Sequence, residues 1–216
     1  MKIKILGLAV VAALALVAFA AASASGKVCS SSGAGEACGG THGNVYTGAI
    51  EASLKTGTSA TLTATNSSGG TVSTVTCTTS VVKGSVTNGS TGAGNINSFT
   101  FSNCSSAACP NGVTASTTAS GSNLWPAQAT TGTAPNGTLS VENIDGEFIC
   151  GTIIGNITCR YTATKATTTV TGGTPATVTA TNVALTRSSG PEATCGAKAD
   201  WSGTYTVTTP KSLFLT

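Results

Sequence analysis

Past the first two dozen residues, apolar and polar side chains alternate with a period of two. Residues 60–65, 71–79, 96–104, 139–141, 148–150, 157–163, 177–185 and 201–207 each put apolar groups on one face and Thr, Ser or Asn on the other. That pattern predicts half-buried β-strands. β-Branched Thr and Val supply the propensity, and clusters such as Asn66-Ser67-Ser68-Gly69-Gly70 and Asn88-Gly89 supply the turns. No window there repeats at 3.6 residues. About ten short antiparallel strands at this spacing predict an all-β sandwich or barrel.

The amino terminus reads differently. Lys2 and Lys4 precede an apolar run from Ile5 to Ala22, which ends in Ala22-Ser23-Ala24. Charge, apolar stretch and small residues in that order predict a cleavable export signal over 1–24, and the run ends in a peptidase site rather than a stop-transfer flank. A secreted all-β domain over 25–216 is expected, with no membrane span once the signal is removed. Cys29 follows Val28, where a lipid-anchoring signal needs a small residue.

Composition raises the question of how such a chain folds. Leu, Ile, Val and Phe make up 31 of residues 25–216, with eight basic groups against seven acidic. So little charge argues against disorder, and no basic footprint points to nucleic acid. Cysteine fills the gap. Cys29, Cys38, Cys77, Cys104, Cys109, Cys150, Cys159 and Cys195 all follow the signal, an even number in an exported chain and so four expected disulfides. With one His and no C-x-x-C, zinc ligation does not fit. The spacing suggests local closures, Cys29 with Cys38 and Cys150 with Cys159. For Cys77, Cys104, Cys109 and Cys195 three pairings remain open.

Two segments, 57–66 and 173–182, match at eight of ten positions. Either the chain is an internal duplication, with equivalent strands pairing across a pseudo-twofold, or Thr/Ala-rich strings recur through composition. Pro126 and Pro135 would bound a hinge between sub-halves 25–125 and 136–216, or a loop within one continuous domain.

The catalytic inventory is short. His42 is the single histidine, in a Gly-rich loop, and no G-x-S-x-G nominates a nucleophile. Glu142, Asp145 and Glu147 cluster and could serve a glycosidase or, with Asn143, a calcium ion, but Asp145-Gly146 also reads as a hairpin turn. Thr-x-Thr rows at Thr61/Thr63/Thr65, Thr74/Thr76/Thr78, Thr177/Thr179/Thr181 and Thr204/Thr206/Thr208 place hydroxyls on one strand face. They read as solvent-facing rather than as an ice- or polysaccharide-binding plane, for want of a constant short repeat. Trp125, Trp201 and Tyr205 are candidates for an aromatic ligand platform, or for the core of a chain with few large side chains. Five sequons, at Asn66, Asn88, Asn103, Asn136 and Asn156, could carry glycans in a suitable host.

Several short motifs, Val75-Thr76-Cys77, Ser98-Phe99-Thr100-Phe101-Ser102-Asn103-Cys104, Leu124-Trp125-Pro126, Cys159-Arg160-Tyr161 and the run from Trp201 to Pro210, together resemble uncharacterised secreted Thr/Gly-rich proteins of actinobacteria. That resemblance implies an Ig-like, Greek-key β-sandwich and carries no assigned activity. A partial similarity over Cys77 to Trp125, to the exported alkane-oxidation activator family, implies a surface or matrix role. The expectation is a secreted, non-enzymatic extracellular or cell-surface module, structural or adhesive, without cofactor. Its partner would be an extracellular polysaccharide or a surface protein. The alternatives are a carbohydrate-binding module using Trp125, Trp201 or Tyr205, and a hydrolase using His42 or the acidic cluster.

Overall fold

The computed structural model describes residues 25–216, so the export signal expected over 1–24 lies outside the described residues. Thirteen strands and one helical turn follow in order: β1 (Val28–Ser30), β2 (Asn44–Val45), β3 (Gly48–Leu54), β4 (Ala60–Thr65), β5 (Thr71–Asn88), β6 (Ala93–Ser105), β7 (Val113–Thr117), β8 (Trp125–Thr131), β9 (Gly137–Thr152), β10 (Gly155–Thr171), β11 (Thr177–Ser189), α1 (Glu192–Cys195), β12 (Lys198–Thr209) and β13 (Phe214–Leu215). The chain is all-β, antiparallel and disulfide-stapled, as the alternation and the cysteine count predict.

The main sheet closes on itself. β5 pairs with β6, β6 with β8, β8 with β9, β9 with β10, β10 with β11 and β11 with β12. β12 then returns to β3 and β4, which both pair with β5. β3 and β4 share one position in the ring at different heights, like one interrupted strand. β7 and β8 do the same, since both pair with β9. The result is an eight-position barrel in which chain neighbours are sheet neighbours. Closure removes the exposed edges that an open sheet of this length would present.

The strands run longer than the broken alternation suggests, because the inward face changes parity within them. On β9, Leu139 and Val141 face in, then Ile144, Phe148 and Cys150; Asn143, at φ 58°, lies between. On β11 the change from Ala180 to Val183 falls at Asn182, at φ 48°, where the register to β12 shifts. Asn103, at φ 52°, separates inward Phe101 from Cys104. Asparagine tolerates this left-handed backbone better than most residues; at Asn182 one residue is absorbed as a bulge, whereas at Asn103 and Asn143 pairing resumes in the same register. The Asp145-Gly146 turn expectation is corrected here: the pair lies mid-strand, opposite Thr162 and Tyr161. The two similar decapeptides place β4 and β11 on either side of β12, so they do not pair with each other.

The barrel ends differ. At one, the sheet β13-β1-β2 forms a cap, and Val28, Leu213 and Leu215 enter the core. Val28 N–H donates to Gly89 O at 2.8 Å and Leu215 N–H to Pro135 O at 2.9 Å, tying the cap to the barrel turns. Cys29–Cys38 closes this cap, as the spacing predicts. At the other end, Cys77–Cys104, Cys109–Cys150 and Cys159–Cys195 staple the turns. The expected Cys150–Cys159 bridge is therefore corrected. Cys150 faces Ile157 and Cys159 faces Phe148, so the two cysteines are diagonal neighbours on the hairpin. Diagonal Cα separations of about 7–8 Å exceed disulfide reach. Cys77 and Cys104 stand directly opposite each other and do bond.

Candidate functional site

Two features stand out, one inside the barrel and one at its stapled end. An eight-stranded barrel has an interior that side chains just fill or that holds one small ligand. Here Ala, Val and Gly make up nearly half of the inward residues, and the interior keeps a cavity of about 230 Å³. Phe99, Phe101, Trp125, Trp201 and Tyr205 are among its lining residues. Phe99 is the hub of this group. Its ring centroid lies 4.6 Å from Phe101, 6.3 Å from Trp125, 5.4 Å from Trp201 and 5.8 Å from Tyr205.

The three aromatics considered as a ligand platform are thus brought together, but inside the molecule. Trp125 and Tyr205 are 2% and 3% exposed and Trp201 is partly buried. A chain with so few large side chains thus uses these rings to fill its barrel. Their polar atoms fare unequally. Trp125 Nε1–H donates to Thr118 Oγ1 at 3.4 Å and Tyr205 O–H to Ser80 Oγ at 3.1 Å. Trp201 Nε1–H is buried and has no acceptor. Burial holds the Tyr205 phenol well above its ordinary range and raises that of Tyr161 to about 12.

The second feature is the β9–β10 hairpin tip. Ile153 and Ile154 form a two-residue connection and are each 88% exposed. Gly155, at φ 124°, completes the turn, and Thr152 Oγ1 donates to Gly155 O at 2.7 Å. The neighbouring loop clamps it: Cys109 bonds to Cys150, Asn111 N–H donates to Gly151 O at 3.0 Å, and Asn111 Nδ2 donates to Thr152 O at 2.9 Å. Residues 105–112 and 150–158 contain no charged side chain. Further around this end, Tyr161 O–H donates to Cys195 O, and Gly190, at φ 103°, packs where a Cβ would stand 2.5 Å from Cys195 Sγ.

The polar candidates are dispersed. His42 sits in the cap loop with its ring 5.0 Å from that of Phe214. Asp145 accepts Nε–H from Arg160 at 2.7 Å and a second bond from Nη2, and this ion pair raises the arginine's already high pKa. Glu147 accepts from Ser116 Oγ at 3.3 Å, and Glu142 is exposed. Among the described residues, no three His, Cys, Asp or Glu side chains gather as a metal-ligand set. The four threonine rows lie on the outward face, alternating with inward Ala64, Val75, Ala180 and Tyr205.

Sequence reasoning passed over the Ile153-Ile154 tip, although two β-branched apolar residues before a glycine, in a gap between strands, are a visible signal. The orphaned Trp201 donor had no such signal, because satisfaction depends on neighbours distant in the chain. No family model, curated protein or solved structure matches this chain.

Proposed function

We propose that the chain is a secreted, non-enzymatic adhesive module that presents the Ile153-Ile154 tip to an apolar hollow on an extracellular surface protein. The observation that carries this reading is a pair of isoleucines 88% exposed on a turn held by a disulfide and loop hydrogen bonds. Burying such side chains is worth about 1.5–3 kcal/mol each. A pre-ordered tip gives up little conformational freedom on binding. Export is supported by the complete pairing of all eight cysteines, which an oxidising compartment permits. Among the described residues, no helix is long and apolar enough to cross a membrane. A protein partner fits better than a polysaccharide, because the tip is aliphatic and the aromatic rings suited to sugars lie inside.

The test is binding of the oxidised protein to cells of its source, compared with an Ile153→Ser/Ile154→Ser variant. Binding should fall at least tenfold in the variant and should vanish on protease-shaved cells. Equal binding by both proteins overturns the reading.

A further inference from the structure

Among the described residues, the ring of strands has one join without a ladder. β6 pairs with β8 only from Ala93 to Ile96 and β7 pairs only with β9, so residues 97–105 and 113–117 run side by side unpaired. One side-chain hydrogen bond crosses this seam, from Thr117 Oγ1 to Phe99 O at 2.8 Å. Phe99, Phe101, Ala115 and Thr117 flank the seam and line the cavity. Ser116, Thr117, Gly146 and Glu147 line both the cavity and a recess of about 200 Å³ on the outer surface, so inside and outside approach each other here. Gly146 adds no side chain to the partition, and a Cβ there would meet nothing nearer than Ser116 O at 3.4 Å. The barrel ends are the other routes inward. One lies under the β13-β1-β2 cap and the other under three disulfide-stapled turns.

The lining also selects what could enter. Four of its aromatic residues carry an N–H or O–H, and none holds it free: Trp125 donates to Thr118 Oγ1, Tyr205 to Ser80 Oγ and Tyr161 to Cys195 O, and Trp201 Nε1 is sealed among its neighbours. The inward hydroxyls of Thr117 and Thr168 are spent on Phe99 O and Leu139 O. Thr61, Ser85, Asn95, Ser116 and Glu147 occupy strand positions that alternate with inward Leu62, Val86, Ile96, Ala115 and Phe148, and so project outward. Away from the seam, the walls therefore present hydrocarbon. At about 230 Å³ the cavity exceeds the roughly 150 Å³ that holds a benzene molecule. A polar group on a guest would leave water and find no partner.

We propose that the β6–β7 seam is a lateral portal through which the barrel takes up a compact hydrocarbon molecule without hydrogen-bonding groups, with the Thr117–Phe99 bond as its latch. Opening the seam breaks that one bond, whereas entry through any other part of the wall would break a ladder. The aliphatic and aromatic side chains then supply the affinity.

The test uses the oxidised protein with p-xylene as the guest and p-cresol, of nearly the same shape, as its polar counterpart, followed by NMR of the Phe99, Trp125 and Tyr205 ring protons. p-Xylene should shift these resonances and bind at least about tenfold tighter than p-cresol, a difference of about 1.4 kcal/mol. In Thr117→Val the association and dissociation rates of p-xylene should both rise about fivefold with little change in Kd, while Thr117→Ser, which keeps the hydroxyl, should keep the original rates. Without any substitution, amides 113–117 should exchange hydrogen at least about tenfold faster than amides 177–185, which lie between two paired strands. Selectivity and hydrogen exchange are read on the unaltered protein, so both stay decisive if Thr117→Val fails to fold. Four results would overturn the proposal: no binding of p-xylene, equally tight binding of p-cresol, unchanged rates in a folded Thr117→Val variant, or equal exchange of the two sets of amides.

Discussion

The stapled end of the barrel and its aromatic body solve the same shortage of large side chains in opposite ways. At the stapled end, five of the ten buried core residues are cysteines, joined by Ala64, Ala199, Val75 and the stacked pair Phe148 and Tyr161. In the body no cysteine is buried in the core; Phe99, Trp125 and Tyr205 work with Val, Ala and Leu. Twelve of those fourteen body residues line the cavity, against three of ten at the stapled end. Cross-links tie the unfolded chain and let small residues suffice, leaving little void. Aromatic rings fill volume in large pieces and leave space between them. The difference teaches that a thin core is either bonded shut or left hollow.

The largest expected effect comes from unstapling. Replacing both Cys109 and Cys150 by Ala opens a closure of 41 residues and should cost about 4 kcal/mol in the chain-entropy picture. The 9-residue closure of Cys29 and Cys38 should cost about 2.5 kcal/mol by the same reasoning. Urea unfolding of both pairs would break the comparison if the cap bridge proved the costlier. Next is the body: Phe99→Ala should lose about 3 kcal/mol, the lower part of the range for such truncations, because the ring already borders empty space. A loss near 5 kcal/mol would mean that the body is packed as tightly as the stapled end.

Alkali should act more mildly, and on both regions. Tyr161 titrates near 12 in the fold against about 10 in the unfolded chain, so the fold favours its neutral form. Its contribution is whole below pH 10 and is lost as the pH climbs from 10 to 12. Tyr205 shifts in the same direction. Stability measured from pH 8 to 11 should decline above pH 10, and Tyr161→Phe should flatten that decline. A curve unchanged by the substitution would remove Tyr161 from the account. The smallest effect belongs to the tip, where Ile153→Ser with Ile154→Ser should change stability by less than about 0.5 kcal/mol, since both side chains are already in water. A loss above 1 kcal/mol by urea unfolding would show that the tip has a structural role.

Much of this architecture was legible in the residues. Every segment with clean alternation lies within a strand, from 60–65 in β4 to 201–207 in β12. Strand length was not, above all in β9, where Asn143 turns the inward face from one parity to the other and makes one strand resemble two. The Asp145-Gly146 reading failed for that reason: broken alternation around it looked like a turn, whereas Gly146 faces Tyr161 across the ladder. Disulfide pairing was legible where the loop is short, at Cys29 and Cys38. It was hidden where it depends on hairpin register, which a two-residue offset decides at Cys150 and Cys159. The aromatic group could be named but not located, since alternation shows that Trp201 and Tyr205 share a face and not which way that face points.

Ring closure also sets an order in time. Every ladder from β5 to β12 joins strands that follow closely in the chain and can zip as each hairpin emerges, but the seam joins Ala52 to Val207 and the cap joins Val28 to Leu215. Both of these last contacts unite the beginning of the described chain with its end. Until β12 arrives, a nascent copy is an open sheet with two bare edges, one of them β3 and β4. Pairing over such sequence separations is slow, and exposed edges in the interval invite association with other chains. Speed of synthesis and dilution of the nascent chains therefore bear on yield as strongly as the stability of the finished barrel does.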